Sequence, residues 1–271
     1  MSGHDDDLPL LRAQVRGIDM AWRREGPARA PVVVLAHGIL TDHRCWDAVA
    51  ARLAASFSVL RYDLRGHGGS GSSPPPYTLE QLGDDAAALL DALKLDRVHF
   101  IGSSLGGMLA QQLAARHGQR LLSLTLANTA AVQLAPAAWE ARIETVRGAG
   151  VKALSEGTMQ RWFTPRFREK APAEVERMRS ILCQTSADGY IGCAQAVRDL
   201  SQLDLLAKIA LPTLVIAGSH DEATPPAQSV QLCSAIAGAR LVTLDAAHQS
   251  ALEQPAAFCE AWRSFVAGIA A

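Results

Sequence analysis

The sequence predicts an α/β protein built on a mostly parallel, doubly wound sheet, with a helical cap inserted in its second half. Three observations carry this. Short β-branched runs alternate with longer helical stretches, and the runs are apolar almost without interruption, as strands covered on both faces must be. The alternation then stops between about Thr129 and Leu211 before it resumes. A chain of 271 residues, 49 % of them hydrophobic, suits one well-buried core of this kind plus an insertion.

The strands are read in order from "PVVVLAHG" (31–38), "SVLRYDLRG" (58–66), "RVHFIGS" (97–103), "LLSLTLAN" (121–128), "PTLVIAGSHD" (212–221) and "ARLVTLDAAH" (239–248). Between the second and third, "LEQLGDDAAALLDALKL" (79–95) repeats its apolar residues at helical spacing, and "SGSSPPPYT" (70–78) reads as an ordered surface loop. After the third strand a helix places Leu105, Met108, Leu109, Gln112 and Leu113 at three- and four-residue intervals. The interrupted region holds helical patterns such as "AAWEARIETVRGAG" and "AEVERMRSILCQT" and no convincing strand. The expected organisation is therefore core over 1–129, helical cap over 130–210 and core again over 211–271. In a doubly wound sheet, the loops at the strand C-terminal ends form the site.

Charge and composition narrow the partners. Lys plus Arg number 26 against 27 Asp plus Glu, with no long single-sign run beyond "HDDD", so nothing points to nucleic acid or an anionic membrane. The N-terminal "MSGHDDDLPLL" lacks the apolar core of a signal peptide, and no segment approaches a membrane span, so a cytoplasmic protein is expected. Cys45, Cys183, Cys193, Cys233 and Cys259 are odd in number and scattered, without a C-x-x-C pair. That argues against a disulfide framework and against a zinc site, and the cysteines are expected as buried free thiols.

Chemistry concentrates at "HFIGSSLGGMLAQQLA" (99–114), where a strand turns sharply into a helix across two serines. A strand-to-helix elbow that exposes a nucleophile needs small residues two before and two after it, because neighbouring backbone leaves no room for a Cβ. Around Ser104 those positions are Gly102 and Gly106; around Ser103 they are Ile101 and Leu105. Ser104 is therefore the candidate nucleophile. It needs a histidine to take its proton and a carboxylate to hold that histidine's tautomer, in the chain order Ser, acid, His. Asp221 follows the strand "TLVIAG" and His248 follows "RLVTL", which makes them the expected acid and base. Glu222 is the fallback acid. His220 would crowd the acid's loop, and Asp245 lies too near the strand end and His248 to be favoured. After the preceding strand, "LANTAA" offers Asn128 and no carboxylate, which favours Asp221 further. The remaining histidines considered, His4, His43, His99 and His117, are expected to be structural or solvent-exposed.

An oxyanion needs two donors. The backbone N–H of Leu105, at the positive end of the helix, is one; that of Ile39, in the loop "AHGIL" after the first strand, is the other. Two neighbouring patterns carry less. Gly66 to Gly71 match G-x-G-x-x-G, but "SSPPPY" follows rather than a helix that would hold a pyrophosphate. Asp63, Arg65 and His67 are expected to order their loop.

"AHGIL", "YDLRGHGGS", "GSSLGG", "GSHD" and "AAH", in this order and spacing, resemble the α/β-hydrolase superfamily over nearly the whole chain. More narrowly, "SFSVLRYDLRGHGGS", "LLSLTLANTA", "RWFTPRFR" and "DGYIGCAQAVRDL" are similar to the 3-oxoadipate enol-lactonase family. The resemblance implies the α/β-hydrolase fold with its cap after the sixth strand. It also implies an acidic enol-lactone substrate from aromatic catabolism through the β-ketoadipate branch, and no cofactor. One departure stands at Ala36-His37-Gly38, where those lactonases tend to carry a Ser-Asn-Ser type sequence and esterases carry the pattern seen here.

In the cap, Arg161, Arg166, Arg168 and Lys170 of "RWFTPRFREK" are candidate partners for a substrate carboxylate, and Trp139 and Trp162 for the walls of an apolar pocket. Arg161, Trp139 and Trp162 are the substrate-binding residues favoured here. The expected partner is a small ester or lactone, and the oligomeric state is left open. The same triad would also serve a general carboxylesterase, a cofactor-free perhydrolase of the haloperoxidase kind or a carbon–carbon bond hydrolase. The fold alone would serve a small-ligand receptor.

Overall fold

The computed structural model describes residues 9–269, and His4 lies outside them. Eight strands form one sheet in the order β1-β2-β4-β3-β5-β6-β7-β8: β1 Leu11–Val15, β2 Ile18–Glu25, β3 Val32–Ala36, β4 Ser58–Tyr62, β5 Val98–Ser103, β6 Leu121–Ala127, β7 Thr213–Gly218 and β8 Arg240–Leu244. The first two strands pair antiparallel with each other and β2 with β4; every other pairing is parallel. β4 and β7 are buried at every position, which is why their sequences are mostly apolar rather than alternating, with Ser58, Arg61 and Thr213 as buried polar exceptions. The edge strand β8 is exposed at Arg240, Leu241 and Thr243.

Core helices α1 Asp47–Leu53, α2 Leu79–Ala92 and α3 Leu105–His117 lie between strands. α2 begins where the Thr78 hydroxyl accepts the Gln81 N–H, and it buries Leu79, Leu82, Leu89 and Leu90 against α3. On α3, Leu105, Met108, Leu109 and Leu113 are buried, whereas Gln112 is half-buried and donates to the Gln202 side chain at 2.6 Å.

Between β6 and β7 the chain is helical: α4 Pro136–Ala149, α5 Ser155–Trp162, α6 Pro165–Lys170, α7 Pro172–Gln184, α8 Ala187–Arg198 and α9 Leu203–Leu206. Proline opens α4, α6 and α7, where a missing N–H costs nothing. The neck of this cap is closed by Gln133 N–H to Leu200 O and Gln202 N–H to Ala131 O. After β7 come α10 Pro226–Ala235, α11 Ser250–Glu253 and α12 Pro255–Ala267, the last packing on α1. The cap thus follows the sixth strand of an α/β sheet.

The antiparallel hairpin β1–β2 is an addition to the six strands expected from sequence. Cys183 is exposed and Cys233 half-buried, so burial holds only for Cys45, Cys193 and Cys259. Among the described residues no helix is long and apolar enough to cross a membrane.

Candidate active site

Strand order reverses around β3 and β5, which lie side by side with Ala36 opposite Gly102, so the loops that leave their C-terminal ends meet over a crevice. One of these loops carries Ser104. Its backbone sits at φ 53°, a strained conformation for a residue with a side chain, between β5 and α3. A Cβ at Gly102 would stand 2.2 Å from Gly106 O, and one at Gly106 would stand 2.2 Å from Ala36 O. The two glycines therefore let β5, α3 and β3 close around the turn. The Thr129 hydroxyl, which donates to Ser104 O at 2.7 Å, and Ser104 N–H, which donates to Ala127 O, hold it from β6.

Asp221 and His248 meet where β7 and β8 end. His248 Nδ1 lies 3.0 and 2.9 Å from the two Asp221 oxygens, so Nδ1–H donates and Nε2 is left as an acceptor. Every other group around Asp221 is also a donor: the N–H of Ala223 and of Thr224, the Thr224 hydroxyl and the Asn128 amide. Burial pushes the Asp221 carboxyl up, but the neighbouring His248 and these hydrogen bonds outweigh it and hold it at about 2.

Ser104 and His248 line one cavity of about 270 Å³ between core and cap, with Ile39, Met108, Trp139, Trp162, Thr224 and Arg142 among its walls. No Ser104 Oγ to His248 hydrogen bond is present among the described residues. Glu222 is exposed at the rim, and Asp245 pairs on the surface with the exposed His220, 2.9 Å away. The carboxylate hydrogen-bonded to His248 is that of Asp221.

The Ile39 and Leu105 N–H groups make no hydrogen bond among the described residues, and both residues are buried beside Ser104. Two buried, neutral imidazoles shape the loop of Ile39. His37 Nδ1–H donates to Gly38 O at 2.7 Å while Nε2 accepts the Leu64 N–H; His67 Nε2 accepts the Leu40 N–H at 3.1 Å. Burial lowers both pKa values, that of His67 to about 3. Asp63 accepts the His43 ring and main-chain N–H and the Gly69 N–H, and Arg65 forms a two-pronged pair with Asp85. The glycine-rich turn at Gly66 packs against Gly189 of α8, where a Cβ on Gly66 would meet the Gly189 Cα at 2.3 Å, so helix rather than ligand fills that space. Asp42, His43 and Asp63 bring three ligand-type atoms within 4.8 Å of one another, but Arg44 engages Asp42 and His43 engages Asp63.

The cap cations separate into two places. Arg166, Arg168 and Lys170 line a different cleft, of about 740 Å³, and only Arg161 of that segment borders both. The arginine held inside the Ser104 cavity is Arg142 on α4, whose Nε donates to the buried Tyr190 hydroxyl at 3.1 Å while its guanidinium stacks on Trp139, 5.2 Å from the ring centre.

The family model described as "alpha/beta hydrolase fold" matches residues 31–255. The chain belongs to the α/β-hydrolase family. Within that family it is 38 % identical over 233 residues to 3-oxoadipate enol-lactonase 2 of Acinetobacter baylyi, covering 86 % of this chain and 87 % of that one. Among solved structures, an enol-lactonase from Burkholderia xenovorans superposes with a TM-score of 0.93 at 39 % identity, over 95 % of this chain and 100 % of that one. A hydrolase from Pseudomonas aeruginosa gives 0.91 at 43 %, over 97 % and 99 %. The protein is an α/β hydrolase.

Sequence reasoning missed three residues that this hydrolase places at the site. Asn128 was read only as the lack of a carboxylate, yet it donates to Asp221 at 3.0 Å and to Ala247 O at 3.2 Å and accepts the Ser250 hydroxyl. Arg142 was hidden in an ordinary helical pattern. Glu253 follows the His248 loop and binds both that loop and the cap.

Proposed function

We propose that the protein is a serine hydrolase of small carboxylic esters or lactones, and that its substrate is an enol-lactone of the 3-oxoadipate type. The observation that carries this reading is that His248, paired with the buried Asp221, lines one small cavity with Ser104. His248 Nε2 takes the Ser104 proton as Oγ bonds to the lactone carbonyl carbon. Asp221 keeps the imidazole in that tautomer and balances the imidazolium. The oxyanion receives the N–H of Ile39 and of Leu105, both without a partner among the described residues. As the ring C–O bond breaks, His248 returns the proton to the leaving enol oxygen, and the enol relaxes to its ketone. Water, deprotonated by His248, then attacks the acyl carbon, and the serine oxygen leaves with the proton.

Trp139 and Trp162, both in the cap over 130–210, wall the substrate. Arg142 binds its carboxylate from a position already fixed by Tyr190 and Trp139, with Arg161 at the rim. The relatives named as enol-lactonases support the lactone over a simple ester.

The test is steady-state turnover of 3-oxoadipate enol-lactone beside short p-nitrophenyl esters. A kcat/KM for the lactone above about 10⁴ M⁻¹s⁻¹, abolished in Ser104→Ala, is the expected result. Ester cleavage without lactone turnover would reject the substrate, and full activity in Ser104→Ala would reject the mechanism.

A further inference from the structure

We infer that Glu253 is a positioning residue that straps the cap to the His248 loop, so that the placement of the imidazole and of the pocket wall are one variable. Three donors from two parts of the chain converge on its carboxylate. Thr164, in the cap, contributes its N–H at 3.2 Å and its hydroxyl at 2.5 Å; Ala247, just before His248, contributes its N–H at 2.9 Å. On the other side of His248, the Gln249 N–H donates to Trp162 O at 3.0 Å. Residues 247 and 249 are thus tied to residues 164 and 162, and Trp162 and His248 line the same cavity.

The strap is held at both ends. Glu253 closes α11 with its own N–H on Gln249 O at 2.9 Å, and the Thr164 hydroxyl also accepts the Phe167 N–H that starts α6. Its two oxygens accept all three hydrogens, with the Thr164 and Ala247 N–H groups on one oxygen and the Thr164 hydroxyl on the other, so truncating the side chain leaves both N–H groups without this acceptor. A cap that swings away breaks these contacts, and a loop that loses them lets His248 drift from Ser104.

This inference rests on the proposed role of His248 as base, and its test separates the two. Glu253→Ala and the milder Thr164→Val are assayed on a neutral p-nitrophenyl ester, with Thr164→Ser as the conservative variant and with amide hydrogen exchange on residues 162–164 and 247–249. Each disruptive variant is expected to lower kcat about tenfold or more with KM within about threefold, because a small displacement of a reacting group costs rate before it costs binding. The double variant should be no slower than Glu253→Ala alone, and Thr164→Ser should retain most of the rate. Exchange should quicken together in both segments. Wild-type kcat with only a lowered Tm, or faster exchange in the cap segment alone, would overturn the strap. The exchange result holds whether or not Ser104→Ala abolishes turnover, so failure of the serine mechanism is read separately.

Discussion

Replacing Asp221 by Asn changes one atom and tests the proposed division of labour between His248 and its carboxylate. In the structure Oδ1 accepts the Ala223 and Thr224 N–H groups at 2.8 and 2.9 Å, while Oδ2 accepts the Thr224 hydroxyl at 2.8 Å and the Asn128 amide at 3.0 Å. An Asn side chain keeps its oxygen toward the two main-chain donors, which places its NH₂ where Oδ2 was. That group then faces the Asn128 NH₂ and turns His248 Nδ1 into an acceptor. The imidazole proton moves to Nε2, and the atom that should take the Ser104 proton no longer can. Losing the orienting carboxylate in a triad of this kind lowers kcat by about 10⁴. A second cost falls on stability. The carboxyl is held at about 2 against an ordinary 3.8, and at about 1.4 kcal/mol per unit its charged form gains on the order of 2 kcal/mol from the fold. The assay is kcat on a p-nitrophenyl ester at neutral pH, with urea unfolding alongside. A variant that keeps more than about a tenth of wild-type kcat would refute the assignment of Asp221.

Three further outcomes are expected. His37 and His67 are buried neutral below the pKa of a free histidine, so the unfolded chain takes up protons first. Their stabilisation is complete above about pH 6.5 and is lost as pH falls below it, for His67 down to about 3, at up to about 1.4 kcal/mol per histidine per unit; urea unfolding at pH 7 and pH 5 should show it, and equal stability at both would contradict it. Gly102→Ala, whose Cβ would press on Gly106 O, should yield little folded protein in a thermal scan, whereas Gly148→Ala, with open space around it, should fold normally. Asn128→Ala strips one donor from Asp221 and leaves the Ser250 hydroxyl and Ala247 carbonyl without their partner, so a loss of about 2–4 kcal/mol and a roughly tenfold drop in kcat are expected by denaturation and turnover.

The parallel core was legible because strands covered on both faces carry nearly unbroken apolar runs, and the elbow because Gly102 and Gly106 are demanded by backbone proximity. β1 and β2 were not. "LRAQV" and "IDMAWRRE" interleave charged residues, since this antiparallel hairpin exposes part of each strand, and their period is too short to stand out. Ser104, Asp221 and His248 sit at strand ends that the order of motifs predicts; the residues that support them do not. Arg142 is separated from Tyr190 by 48 positions, and only the packing of α4 on α8 turns its guanidinium into the cavity. The cations after Trp162 looked equivalent, but Thr164 starts a new helix, and the turn sends Arg166, Arg168 and Lys170 to the other cleft. Asn128 carried a readable signal, an amide at the end of the strand beside the acid's strand, but its use depends on the left-handed backbone at φ 45°.

The departure at His37 bears on how substrate and chemistry are divided. Its ring donates to Gly38 O and accepts the Leu64 N–H, and His67 accepts the Leu40 N–H, so the two imidazoles grip the main chain on either side of Ile39. A side chain spent on the loop's own backbone is a means of aiming a donor. It does not select a substrate. The same holds for Gly102, Gly106, Thr129 and Asn128, which hold Ser104 or Asp221 in place through main-chain or amide contacts. The cavity-lining groups proposed to contact the acyl chain, Trp139, Arg142 and Trp162, come instead from α4 and α5 of the cap. His37, where those lactonases tend to carry an asparagine, therefore changes how the main chain around Ile39, the proposed oxyanion donor, is supported and leaves the lactone reading to be decided in the cap.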